Sequence, residues 1–177
     1  MSFAAKVISG LFWLGVALPV CAQDARLQIG HLDRLASRAA ESVEVTLNQS
    51  QLQFVRKLAR LDRTEHGDKL AKMNSVFVRL FEFEQDGEFA EADVETVRAQ
   101  LRAPGWERFV EGSDAGGDAF VMRQGGEIVG YAALYADARK LCVINVTGRI
   151  AEEDVKEFNR SDCRGWNGHQ RSGRRSR

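Results

Sequence analysis

The spacing of apolar residues changes along the chain, and each change marks an element. From Val7 to Leu18 the run "VISGLFWLGVAL" is apolar almost throughout, without a helical or strand period. Beyond Gln23 periodicity begins. Leu32, Leu35, Ala36 and Ala39 recur at helical spacing, with Asp33, Arg34 and Arg38 turned away. "VEVTL" (Val43 to Leu47) alternates as a short strand. Ser50 with Gln53 reads as a capping box, and Leu52, Val55, Leu58, Ala59 and Leu61 continue as a helix. A polar stretch follows, with a short helix expected after Gly67.

The strongest strand is "NSVFVRLFEFEQ". Val76, Val78 and Leu80 share one face and Phe77, Phe81 and Phe83 the other, which predicts a central strand covered on both sides. "AEADVETVRAQLR" is amphipathic through Ala92, Val94, Val97 and Leu101, and Pro104-Gly105 ends it. Four strand-like runs follow: "WERFVEG", "DAFVMRQ", "GEIVGYAALYA" and "KLCVINVTGRI". Gly125-Gly126 predicts a tight hairpin between the second and third, and "DARK" a turn before the fourth. "AEEDVKEF" starts one more helix. Helices alternate with strands early and a meander comes late. The expectation is a single α+β domain of two layers. It has one mixed, mostly antiparallel sheet of about six strands, with helices mainly on one face.

The first 22 residues stand apart from this domain. Lys6, the twelve-residue apolar run, Pro19 and the compact "VCA" before Gln23 have the build of a secretory signal peptide, and the run is too short to span a bilayer. The sequence therefore predicts an exported protein of a Gram-negative periplasm, without a transmembrane span after cleavage. Leu18, three residues before Cys21, leaves lipid anchoring at Cys21 as a minor alternative. Residues 23–159 form the predicted domain and 160–177 a basic, disordered tail.

Charge sharpens this division. The tail carries six arginines and one acid, so residues 23–159 hold 18 basic against 24 acidic groups, a net −6. Nucleic acid is not an expected partner of such a domain. Cys142 and Cys163 remain after cleavage, and an oxidising compartment permits their pairing without requiring it. Cys142 alternates with Ile144 and Val146, the pattern of a buried structural thiol.

Candidate chemistry is sparse. Counted from Glu82, residues Glu84, Asp86, Gly87 and Asp93 fall at the offsets of a calcium-binding EF-hand loop. The strand period before them, the long Glu82 and the short Asp93 argue instead for a strand end, an Asp-Gly turn and an acid-rich helix start. Weak calcium binding through Glu84, Asp86 and Asp93 stays as one alternative. A hydrolase-like acidic site built from Glu82, Glu84, Asp86 and Glu88 is another. His31, His66 and His169 form no ligand spacing, and no nucleophile elbow or P-loop occurs, so no metal, cofactor or catalytic residue is assigned. Asn48 and Asn145 head glycosylation-type triplets, read as chance because the second lies inside a strand. Trp106, Arg108 and Tyr131 are the candidate binding residues, on the sheet face and edge that follow the helix stop.

"SVEVTL", "VFVRLFEFEQDGEFAEADVETVRAQLRAPGWERFV" and "GEIVGYAALYADARKLCVINVTGRI" together resemble the secreted bacterial proteins catalogued as domain of unknown function 4252. The resemblance runs from about Leu32 to Ala151 and is most specific from Val76 to Val110. It implies export, and it implies no catalytic residue, because no activity is established for the family. Members continue into a short helix and a brief apolar end. Here "NRSDCRGWNGHQRSGRRSR" departs, as a lineage extension or a shifted frame. The expected function is a non-enzymatic binding module acting on an envelope protein or a small ligand.

Overall fold

The computed structural model describes residues 24–61, 72–109 and 117–160. The predicted signal peptide, the short helix after Gly67, Cys163 and the basic tail beyond Arg160 lie outside the described residues. A 3₁₀ helix, Gly30–Leu35, opens the domain. Then come β1 (Glu41–Leu47), α1 (Gln49–Leu61), β2 (Met73–Glu82), α2 (Glu91–Leu101) and β3 (Trp106–Arg108). The chain continues through β4 (Asp118–Gln124), β5 (Glu127–Ala136), β6 (Lys140–Ile150) and α3 (Glu152–Arg160). Six strands form one sheet in the order β1-β2-β6-β5-β4-β3. Every pair is antiparallel, so the α+β domain with six strands is as expected and its sheet contains no parallel pair.

The helices do not gather mainly on one face. Phe81, Phe83, Leu134, Leu141 and Val143 point to a front face, where Val94, Val97 and Leu101 of α2 and Leu32 and Leu35 of the 3₁₀ helix cover them. Tyr131, Val146 and Ile150 point to the back, where Leu52 of α1 and Val155 of α3 cover them. The two apolar faces of β2 were the better guide: a strand that is apolar on both sides needs a cover on both. Burying Val94, Val97 and Leu101 contributes roughly 2 kcal/mol each before entropy is charged against it.

Local sequence accounts for the ends. Helix α1 starts two residues earlier than the Ser50–Gln53 reading. Asn48 Oδ1 accepts from Gln51 N–H (3.0 Å) and Gln51 Oε1 accepts from Asn48 N–H (2.8 Å), so the capping box is Asn48 with Gln51. Asn caps as well as Ser does, and the earlier of the two signals prevails. The helix read through Ala39 is shorter than expected: it stops at Leu35, and turns carry the chain to β1. Asp86-Gly87 is the turn after β2, and Asp93, a buried acid at the start of α2, accepts from Ala90 N–H at 3.2 Å.

The β5–β6 turn is held by one side chain. Asp137 accepts from the N–H groups of Arg139 (2.9 Å) and Lys140 (2.8 Å) and from the Tyr135 hydroxyl (2.7 Å). Burial alone pushes its carboxyl up. These donors and the Lys140 charge outweigh that and hold it below the usual carboxylate range. A depressed folded pKa gives stability that is present above the ordinary range and fades as pH falls through the lowered value. Asp137→Ala is therefore expected to cost about 1 kcal/mol at pH 7, modest because the site is exposed. In denaturation series, the gap to wild type should close as pH falls below the ordinary carboxylate range. A gap independent of pH would show that the carboxylate is not the cause.

Candidate functional site

Residues 24–29 are a strap laid across the front of the sheet. Ala25, Leu27 and Ile29 are buried while Asp24, Arg26 and Gln28 are exposed, the alternation of an extended segment. The strap belongs to no sheet, and side chains satisfy its backbone. Asn145 of β6, 2% exposed, accepts from Leu27 N–H through Oδ1 (3.1 Å). Its Nδ2 donates to the carbonyls of Ala25 (3.0 Å) and Tyr131 (3.1 Å). From the other side, Gln100 of α2 accepts from Gln28 N–H (2.7 Å) and donates to Gln28 C=O (2.8 Å). Gly130 lets the strap come close: a Cβ there would lie 2.5 Å from that of Ala25 and 3.3 Å from the Trp106 ring.

Between strap and sheet lies a groove of about 380 Å³. Thr46, Ser75, Phe77 and Arg79 line it from β1 and β2, and Arg26 and Asp33 from the strap and the 3₁₀ helix. Arg79 is largely buried. Its guanidinium donates to Asp33 at 2.8 Å, pairs with Glu44 and lies 5.3 Å from the centre of the Phe77 ring. Ser75 shares a 2.8 Å hydrogen bond with Thr147. The groove can thus hold an extended or flat ligand against a neutralised arginine and an aromatic ring. Asp33 and Glu44 neutralise Arg79, whose Nε is buried without a hydrogen-bond partner among the described residues. A second cavity, about 360 Å³, lies at the β4–β5 hairpin and the start of α3. Ion pairs line it: Arg123 with Glu152 (2.6 Å) and Arg149 with Glu127 (3.2 Å).

The acidic stretch after β2 is not gathered into a site. Glu84 and Asp86 are exposed, and Asp86 pairs with Arg139 at 2.6 Å. Glu88 accepts from Gln85 N–H at 2.9 Å, and Glu82 is half-buried in β2. None of the four lines either cavity. Asp93 is committed to Ala90 N–H and to Arg34, while His31 Nε2 donates to the Asp93 carbonyl at 3.1 Å. Among the described residues no three His, Cys, Asp or Glu side chains are placed to share a metal.

The candidate binding residues divide. Trp106 is half-buried on edge strand β3 and packs against the front core; Arg108, two residues on, is exposed and paired with Asp118. Tyr131 is a correction. It is fully buried at the back, its ring 5.7 Å from Phe158, and takes no part in a surface with Trp106. "GYAAL" is apolar at consecutive positions, and such a run does not say which face stays open. The reading of Cys142 as a thiol is also corrected. It is buried, on the expected face, but it is disulfide-bonded; Cys21 and Cys163, the other cysteines of the chain, lie outside the described residues.

The strap, Asn145 and Arg79 were missed at the sequence level. The strap's signal was present in "DARLQI", which alternates polar and apolar residues over six positions. Asn145 stood out as the one amide within the apolar run of β6. Arg79 interrupts the aromatic face of β2, and nothing nearby announces its partners.

Among the described residues no helix is long and apolar enough to cross a membrane. No curated protein and no solved structure matches the chain. A family model does match, over residues 37–158, which takes in all six strands and leaves the strap outside. The chain belongs to the family described as Domain of unknown function (DUF4252).

Proposed function

We propose that this is an exported bacterial protein that works in the cell envelope by binding a partner, without catalysing a reaction. The observation that carries this reading is the chemistry of the larger groove. It can admit a ligand, yet Asp33 and Glu44 pair with Arg79, Ser75 bonds to Thr147 and Asn145 to backbone, which leaves Arg79 Nε as the buried side-chain atom without a partner among the described residues. Groups engaged in this way position a bound surface; a general base or nucleophile needs to reach a reacting atom. Export is supported by the apolar leader and by the disulfide at Cys142, a bond that persists in oxidising compartments.

The test is made in a Gram-negative host. The tagged chain is expected in the periplasmic or envelope fraction, with a mass corresponding to a start at Gln23 and Cys142 resistant to alkylation. Cross-linking in that fraction should give a reproducible partner, compared between wild type and Trp106→Ala. An uncut chain in the cytoplasm with Cys142 alkylated would contradict export. Identical partner sets for the two forms would remove the Trp106 edge from the binding surface.

A further inference from the structure

The two edges of the sheet differ. Strand β3 is three residues long. Strand β1 has seven, and it pairs with β2 in unbroken register from Glu41↔Glu82 to Leu47↔Val76. Proteins blunt exposed edges with short strands, bulges, proline or lysine. β1, "ESVEVTL", is neither short nor bulged and has no proline or lysine; its charges are Glu41 and Glu44, and among the described residues no strand pairs beyond it. Val43, Val45 and Leu47, on its back-facing side, are only half-buried. Glu44 and Thr46, on its front side, stand beside the groove that Phe77 and Arg79 line.

We propose that β1 is a docking edge for an extended, cationic segment of a partner protein, which adds to the sheet as a seventh strand. The proposal rests on the binding reading and names the surface and the partner's chemistry. Main-chain hydrogen bonds would come from the open side of β1, and alternate side chains would enter the groove. Charge selects the occupant. Glu44, Asp33 and Asp24 stand at the front side of the edge and the groove against Arg26 and Arg79, an excess of one negative charge. A second copy of the chain fits badly: the fully overlapped antiparallel pairing of two β1 strands sets Glu44 opposite Glu44, and like charges directly opposite repel. The matching segment alternates lysine or arginine toward the groove with β-branched residues over Val43 and Val45.

The probe is an eight-residue peptide of alternating lysine and valine, titrated into the purified protein by calorimetry. Its controls are a peptide of alternating glutamate and valine, and the Lys–Val peptide N-methylated at every second amide. Saturable binding that weakens with salt is expected, with both controls weaker by about tenfold or more. Glu44→Gln, melting like wild type, should weaken the Lys–Val peptide severalfold. Equal binding of the N-methylated peptide would overturn strand addition, and equal binding of the Glu–Val peptide the cationic partner. A micromolar dimer that the Lys–Val peptide leaves intact would assign the edge to a second copy instead. No binding of the Lys–Val peptide while envelope cross-linking still yields a partner would overturn the edge and leave the binding reading standing.

Discussion

Replacing Asn145 with alanine is expected to lower folding stability by about 3–5 kcal/mol and to free the strap. The side chain makes three hydrogen bonds at a position 2% exposed: one from Leu27 N–H, and one each to the carbonyls of Ala25 and Tyr131. Alanine leaves the Leu27 N–H and the Ala25 carbonyl of the strap without these partners, at about 1–3 kcal/mol each before relaxation, and takes one bond from the Tyr131 carbonyl. Relaxation has an obvious route, because the strap can lift and rehydrate. Lifting exposes Leu27 and Ile29, and Arg26 becomes open to trypsin. Asn145→Asp should do no better: its carboxylate can still accept from Leu27 N–H, but it has no proton for the two carbonyls. Denaturant melts with limited trypsin digestion check this. A variant within 1 kcal/mol of wild type, uncut at Arg26, would show that Asn145 does not hold the strap.

Gly148→Ala should be comparably damaging, at about 4 kcal/mol, and for a different reason. Gly148 lies opposite Met73, where β2 and β6 slip register at the start of β2, and its φ is +128°. A Cβ there would lie 2.4 Å from the Lys72 carbonyl oxygen and 2.7 Å from both Asn74 N and Met73 Cα. All three are backbone atoms, so no side chain can swing aside; the start of β2 has to move off β6. Arg149 N–H also donates to the Lys72 carbonyl at 2.9 Å, so the shift breaks a bond as well. Gly30→Ala, which meets no atom within 4 Å, is the control and should change stability by less than about 0.5 kcal/mol. Equal melting of the two variants would contradict the close approach at Gly148.

These two positions also show where the sequence stopped being informative. Strands and α2 were legible, because their periods are strong and their ends carry turn residues: Asp86-Gly87, Pro104-Gly105 and Gly125-Gly126. The double-sided cover of β2 was legible for the same reason. Which helix covers which face was not, because an amphipathic helix announces one apolar side and never names the surface it meets. Gly148 looked like any residue of "VTGRI", since a close approach between strands depends on a register that local pattern does not fix. The strap was legible in principle. Its alternation lay next to helical spacing at Leu32 and Leu35, which drew the eye away from it.

The candidate site was harder to read than the fold. Trp106 and Arg108 do share an edge strand, but Tyr131 belongs to the opposite face, and neighbouring runs of apolar residues hide that parity. The acids after β2 drew attention by their offsets, yet they sit on an exposed turn and a helix start. The groove is assembled from residues as far apart as Arg26 and Asn145, which only the folded chain brings together. The proposed docking rests on its position beside edge strand β1.

Residue-resolved amide hydrogen exchange along β1 tests that docking most directly. An open antiparallel edge points alternate N–H groups at solvent. In the free protein, alternate amides of Glu41–Leu47 should exchange fast, while those of β2, β5 and β6 exchange slowly throughout. On adding the Lys–Val peptide, the fast set should become protected. Uniformly slow exchange along β1 in the free protein, or a fast set that bound peptide leaves unchanged, would contradict the claim that this edge is where a partner docks.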